Sequence, residues 1–84
     1  MNNRKKIFNK LQPIFREILK DKKLILKEKT NPSKVNNWDS LNHMKLIVEI
    51  ERELKCNFSL KELGELKNVG DFVDLIQKKK TDVK

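Results

Sequence analysis

Residues 38–54 have the sequence WDSLNHMKLIVEIEREL, a helix start followed by an amphipathic run. Asp39 is predicted to cap a helix over residues 40–55, because a short acidic side chain can accept a hydrogen bond from an unpaired amide of the first turn. The inward apolar stripe of this helix is predicted to consist of Met44, Ile47, Ile50 and Leu54, with Leu41 and Val48 to one side of it.

Ser40 follows the predicted cap at the first helical position. Its hydroxyl is expected to face solvent at the positive end of the helix dipole, which is a favourable place for a phosphate ester. We therefore interpret Ser40 as a site of covalent modification. The alternative is that Ser40 only assists Asp39 in capping the helix.

A first helix is predicted over about residues 3–20. Apolar side chains recur there at spacings of three and four from Ile7 to Leu19, which is typical of an amphipathic helix. Pro13 interrupts the pattern, but the apolar stripe keeps its phase across it. We predict one kinked helix; the alternative is two helices, with Pro13 in the first turn of the second.

Residues 21–37 are predicted to form a long loop. Leu24 and Leu26 alternate with other residues, which indicates an extended segment that places these side chains on the core. Val35 and Trp38 are expected to fix the end of the loop. Trp38 is interpreted as a loop residue that closes the core, and the alternative is an anchor for a partner protein. Loops of this length are usually functional or well packed.

Two shorter helices are predicted in the last third of the chain. Ser59 and Glu62 have the spacing of a capping box, which predicts a short third helix over about residues 60–66. A similar start between Asn68 and Asp71 predicts a fourth helix, which ends in a run of lysines that suits a helix C-terminus.

Composition agrees with one small helical domain over residues 1–84. The chain is 37% hydrophobic and has two glycines and two prolines, too few for a turn-rich β-sandwich. The predicted fold class is all-α, a four-helix bundle with a long loop between the first two helices and a short third helix. The basic first few residues and the tail 78–84 are expected to be flexible.

The sequence shows no secretory signal and no apolar stretch near the roughly 20 residues that span a bilayer. The single cysteine, Cys56, excludes an internal disulfide, and it is expected to be a small buried hydrophobe. A cytoplasmic protein without stable membrane insertion is expected.

The net charge of +8 is unevenly distributed. Residues 1–34 carry eleven basic and three acidic side chains, residues 35–76 carry five and eight, and residues 77–84 carry four and one. The alternative function is therefore a small basic helical nucleic-acid-binding protein. The four phenylalanines fall on predicted core stripes, and no base-reading motif is present, so we expect no nucleic-acid partner.

No group of residues indicates catalysis or metal binding. His43 is the only histidine, and with no nucleophile or metal-ligand spacing near it we interpret it as a structural residue. No glycine-rich phosphate loop is present. We predict no catalytic residue and no metal site, and thus a protein that is not an enzyme.

The spacing of these elements resembles that of the acyl carrier proteins. The resemblance extends from Ile7 to Ile76 and is carried by the segments Trp38-Asp39-Ser40-Leu41, Phe58-Ser59-Leu60 and Asn68-Val69-Gly70-Asp71-Phe72. It implies a four-helix bundle of acyl-carrier type. It also implies that a phosphopantetheinyl transferase, using coenzyme A and magnesium, attaches 4′-phosphopantetheine to Ser40, so that acyl or aminoacyl groups are carried as thioesters.

The motif differs from that of the fatty-acid-synthesis members, which are typically strongly acidic. Trp38 stands where a small residue is usual, while Asn42, Lys45 and Arg52 occupy positions that are often acidic. The Trp-Asp-Ser-Leu form is similar to stand-alone carriers of dedicated biosynthetic pathways, and charge complementarity is expected to select the partner enzymes.

The resemblance further implies a monomer that docks on acyl- or aminoacyl-activating and transferring enzymes. The residues expected at the docking surface are Leu41, Met44, Lys45, Val48 and Arg52. The cargo stays open. An acyl chain would need a cavity between the second and third helices, for which Ile47, Phe58 and Leu63 are candidate lining residues, whereas aminoacyl cargo would need none.

Overall fold

The computed structural model describes residues 3–82, and it contains four α-helices in this part of the chain. They are α1 (Asn3–Ile18), α2 (Ser40–Leu54), α3 (Leu60–Leu63) and α4 (Val69–Asp82), with one 3-10 turn (Pro32–Lys34) in the loop after α1. No strand occurs among these residues. The predicted all-α fold, with its long first loop and short third helix, is confirmed.

Helix α1 is one helix that continues through Pro13, as predicted. Its regular part ends at Ile18, two residues before the expected end, because Lys20 adopts a left-handed conformation with a φ of 56°. Helix α2 ends in the same way at Lys55, whose φ is 54°. Helix α3 is shorter than expected, because the chain turns at Gly64 and Leu66 packs on the core from outside the helix.

Both predicted helix starts in the last third are confirmed. At α3 the Ser59 hydroxyl accepts a hydrogen bond from the Glu62 amide at 3.2 Å, and the Glu62 carboxylate accepts one from the Ser59 amide at 2.8 Å. At α4 Asn68 and Asp71 exchange the equivalent bonds at 2.8 and 3.3 Å. Each pair satisfies amides that a helix start would otherwise leave without a partner.

Helix α1 packs against both α2 and α4 around one apolar core. At its centre the Phe15 ring meets Trp38 and Phe72 edge-on, with ring centroids 5.3 and 5.8 Å apart. Edge-on packing of this kind adds to the stabilisation from burial alone. The fully buried side chains come from the three long helices and from the residue that follows α1: Leu11, Phe15, Leu19, Leu46, Ile50, Val69, Phe72, Val73 and Ile76.

The inward stripe of α2 was predicted incorrectly at one position. Met44 is 51% exposed, and Leu46, which the prediction left out, is fully buried. A step of three residues falls about 60° short of a full helical turn, so a stripe built on such steps drifts off the buried face. Met44 lies beyond one edge of that face, while Leu46 lies within it beside Ile47 and Ile50.

The long loop is attached to α1 by side chains of that helix. Gln12 donates to the Leu24 carbonyl at 2.6 Å and accepts from the Leu26 amide at 3.1 Å, and Arg16 donates to the same Leu24 carbonyl at 2.7 Å. Leu26 is buried and Leu24 is partly buried, as expected. The loop is therefore a fixed part of the structure.

Further along, the loop also contacts the start of α4. The Thr30 and Glu28 carbonyls accept hydrogen bonds from the Val69 and Gly70 amides at 2.8 and 2.9 Å. Arg4 of α1 binds the Glu28 carboxylate through two bonds of 2.5 and 3.1 Å. These contacts connect the loop to both α1 and α4 and set its course towards α2.

Two further expectations concern single residues and the chain ends. Cys56 was expected to be a small buried hydrophobe; it packs against the core but is only partly buried. Helix α4 runs through Asp82, while residues 1, 2, 83 and 84 lie outside the described residues, and the flexibility of the tail 78–84 stays a prediction. None of the described helices is both long and apolar enough to cross a bilayer.

Candidate functional site

Ser40 is the first residue of α2, and it is exposed. The predicted cap is present, since the Asp39 carboxylate accepts a hydrogen bond from the Asn42 amide at 2.9 Å. The Ser40 hydroxyl makes no hydrogen bond to any residue between 3 and 82. Capping is thus performed by Asp39, and the hydroxyl of Ser40 stays available for reaction.

The segment before Ser40 is held from two sides. Asn37 adopts a left-handed conformation with a φ of 72°, and its side-chain amide donates to the Leu19 carbonyl at 3.0 Å. Its own carbonyl accepts a bond from the Asn42 side chain at 2.7 Å. The end of α1 and the first turn of α2 therefore fix the chain immediately before the serine.

Trp38 closes the core under the site, as expected. Its side chain is 5% exposed, and its indole packs against Phe15 and Phe72. The indole N–H donates to Nδ1 of His43 at 3.0 Å, and the two ring planes are 22° apart with centroids 6.1 Å apart. Tryptophan was expected in the core, but its pairing with His43 was not predicted.

His43 is thus a packed residue, which agrees with the structural interpretation of the sequence. Burial lowers the pKa of its imidazole from the ordinary value of 6.5. Because Trp38 supplies a donor to Nδ1, the neutral ring carries its proton on Nε2. The signal that could have indicated this pair is local: Trp38 directly precedes the cap Asp39, and His43 lies in the first turn of the helix that follows.

A groove of about 540 Å³ opens beside Ser40. It has apolar walls and a few polar groups, and its lining residues are Pro32, Trp38, Asp39, Ser40, His43, Met44 and Leu66. It includes none of the three residues that the sequence indicated for an acyl cavity. Two of those, Ile47 and Phe58, belong to the packed core.

The five residues expected at a docking surface all lie exposed on α2, and we call them the α2 ridge: Leu41, Met44, Lys45, Val48 and Arg52. Leu41 and Val48 are 66% and 60% exposed, which is unusual for aliphatic side chains on a helix that also has a buried face. Arg52 pairs with Glu49 at 2.6 Å, so Lys45 is the ridge cation without an ion pair among the described residues.

Metal binding and nucleic-acid binding are two other functions for which the described part of the chain can be examined. Residues 3–82 contain no cluster of three or more potential metal ligands. Phe15, Phe58, Phe72 and Trp38 are buried and Phe8 is packed on the core, so these rings are not displayed for base stacking. The nucleic-acid alternative is therefore not favoured.

A solved structure that is similar to this chain covers nearly all of it. It is the solution structure of holo acyl carrier protein from Geobacter metallireducens, with a TM-score of 0.84 and 42% sequence identity over 96% of this chain and 88% of that one. No known family profile and no curated protein sequence matches the chain. The likeness thus extends over fold and sequence together.

Proposed function

Because this chain belongs to the acyl carrier protein family, we propose that it carries acyl or aminoacyl groups on a 4′-phosphopantetheine arm attached to Ser40. The observation that carries this proposal is the exposed Ser40 hydroxyl at the start of α2. Asp39 caps this helix, so the Ser40 hydroxyl is not used for capping. When bound, the arm supplies a terminal thiol that holds the cargo as a thioester. The chain itself acts as a non-catalytic carrier.

The surroundings of Ser40 fit such a group. At the start of α2 the Asp39 carboxylate accepts a hydrogen bond from the Asn42 amide, and the Asp39 carbonyl accepts one from the His43 amide. The amides of Ser40 and Leu41 have no acceptor within residues 3–82. A phosphodiester is an anion, and a helix N-terminus with open amides is a favourable place for one. The groove beside Ser40 offers an apolar wall for the rest of the arm.

Attachment is a group transfer from coenzyme A that a separate transferase performs with magnesium. The Ser40 oxygen forms a bond to phosphorus, the pyrophosphate bond of coenzyme A breaks, and the nucleotide half leaves. The hydroxyl proton passes to a base of the transferase, because the acceptor nitrogen of His43 is already occupied by Trp38. This chain contributes the solvent-exposed hydroxyl of Ser40.

The α2 ridge is proposed as the docking surface for the transferase and for the enzymes that load and unload the cargo. It combines three exposed apolar side chains with Lys45 and Arg52, where fatty-acid-synthesis members typically present acids. Buried apolar anchors provide affinity, and the surrounding charges select the partner. We therefore propose that the chain serves a dedicated biosynthetic pathway. We also propose that it acts as a monomer in the cytoplasm.

The test is modification of the purified chain. Incubation with coenzyme A, magnesium and a broad-specificity phosphopantetheinyl transferase is expected to add the mass of one phosphopantetheine, located on Ser40 by peptide mapping. Ser40→Ala should take up none. The control is Ser33→Ala, which removes another exposed hydroxyl and should be modified normally. An unmodified wild-type chain, or label on Ser40→Ala, would refute the proposal.

A further inference from the structure

We propose that His43 is a positioning residue that donates a hydrogen bond from Nε2 to the phosphodiester on Ser40. The inference rests on the proposed modification of Ser40 and adds a role for the only histidine of the chain. Three observations carry it: the tautomer of the ring, its fixed orientation, and its place beside Ser40.

The tautomer follows from the bond to Trp38. An indole N–H can only donate, so the Nδ1 atom 3.0 Å from it must be an unprotonated acceptor. In the neutral ring the proton is then on Nε2, which makes that atom a donor. No residue between 3 and 82 accepts a hydrogen bond from Nε2.

The orientation of the imidazole is held from two sides. The Trp38 indole N–H holds one edge of the ring, with the two ring planes 22° apart, and the Phe72 ring meets it edge-on with centroids 5.8 Å apart. Trp38 and Phe72 are themselves 5% and 0% exposed. The donor is therefore presented by a rigid aromatic support, and binding costs little side-chain entropy.

The place of His43 brings the donor next to the attachment point. Residues three apart on a helix are surface neighbours, with about 5–6 Å between their Cβ atoms. Ser40 and His43 stand in this relation, and both line the same groove. Asp39 is the charged residue that shares the groove, and its carboxylate is engaged by the Asn42 amide.

The phosphodiester is the part of the arm that suits this donor. It is bonded directly to the Ser40 oxygen and so stays within one helical turn of His43, whereas the rest of the arm can move away. An anionic acceptor makes a shorter and stronger hydrogen bond than a neutral one. In the unmodified chain, burial lowers the pKa of His43. The negative charge of the phosphodiester should act in the opposite direction and raise this pKa, because it favours the protonated ring.

The experiment compares unmodified and modified chains by NMR, with intact mass to show that Ser40 carries the group. Ring nitrogen shifts should show the Nε2-protonated tautomer, and modification should raise the pKa of His43 by about 0.6, the effect of one charge about 5 Å away in water. The phosphorus resonance should follow the same midpoint between about pH 5 and 8, where the phosphodiester has no titration of its own.

The matched variant is His43→Gln, which can accept from Trp38 and still donate to the phosphodiester but does not titrate in this range. Its phosphorus resonance should be independent of pH. A modified wild-type chain whose His43 pKa and phosphorus shift are unchanged, or whose neutral ring is protonated on Nδ1, would overturn the role of His43 and leave the carrier function intact. Failure of Ser40 to take up the group would overturn both.

Discussion

The side-chain amide of Asn37 donates a hydrogen bond to the Leu19 carbonyl at 3.0 Å and joins the end of α1 to the segment that leads into Ser40. Asn37 does this from a left-handed conformation, with a φ of 72°. Asparagine tolerates this conformation better than most residues, and its side chain supplies the bond. One residue thus sets both the backbone course and the anchoring of the serine loop.

Substitution at Asn37 should separate these two contributions. Asn37→Gly keeps the left-handed backbone but loses the bond, for an expected cost of about 1 kcal/mol in the free energy of unfolding. Asn37→Ala adds the strain of a left-handed alanine, for a total of about 2 kcal/mol. Urea unfolding measures both; equal costs would show that backbone strain is not involved.

Gly70 should tolerate no side chain. A Cβ atom there would lie 2.8 Å from the Glu28 carbonyl oxygen and 2.7 Å from the Glu28 carboxylate. The carbonyl is held by the Gly70 amide itself, so the loop must move, and Gly70→Ala should cost about 1–3 kcal/mol.

The control for that substitution is Gly64→Ala. The nearest atom to a Cβ at Gly64 is 3.5 Å away, and the backbone is helical with a φ of −69°. Gly64→Ala should be neutral or stabilising by up to about 1 kcal/mol in the same urea experiment. A similar loss at both glycines would contradict the close packing of the loop on α4.

Acid should destabilise the unmodified chain through His43. Burial lowers its pKa below 6.5 in the folded state, so as the pH falls through 6.5 the unfolded chain takes up the proton first. The free energy of unfolding is then lost down to the folded-state pKa and is constant below it. Wild type should lose stability relative to His43→Gln as the pH is lowered through 6.5. Parallel pH profiles would be inconsistent with a half-buried imidazole whose pKa is lowered in the folded chain.

The α2 ridge should matter for docking and not for folding. Val48→Ser and Ile25→Ser remove aliphatic side chains of nearly equal exposure, 60% and 64%, one on the ridge and one on the first loop. Val48→Ser is expected to lower the kcat/KM of the transferase about fivefold, which corresponds to about 1 kcal/mol, while Ile25→Ser leaves it unchanged. Equal kinetics for the two variants would exclude the ridge as the docking surface.

Local signals in the sequence predicted the features that depend on neighbouring residues. The Asp39 cap of α2 and the Ser59–Glu62 capping box each involve residues three apart, and both appear as predicted. The persistence of α1 through Pro13 followed from the phase of its apolar stripe. The exposure of Ser40 followed from its place beside the cap.

Features that depend on residues far apart in the chain could not be predicted from local sequence signals. The Gly70 amide bonds a carbonyl 42 positions earlier in the chain, at Glu28, and no local pattern marks that contact. Leu46, and not the predicted Met44, is buried in the core. Which of the two is buried depends on how α1 and α4 pack against α2, and the helical period alone does not specify that packing. The groove beside Ser40 likewise forms from the loop, α2 and the turn after α3.

The most direct test of the central claim is the intact mass of this chain purified from its own host. Our account predicts a population heavier than the unmodified chain by one phosphopantetheine, with or without cargo, and fragmentation that places the group on Ser40. A chain that is found only at its unmodified mass, while other carriers of the same cells are modified, would contradict the account.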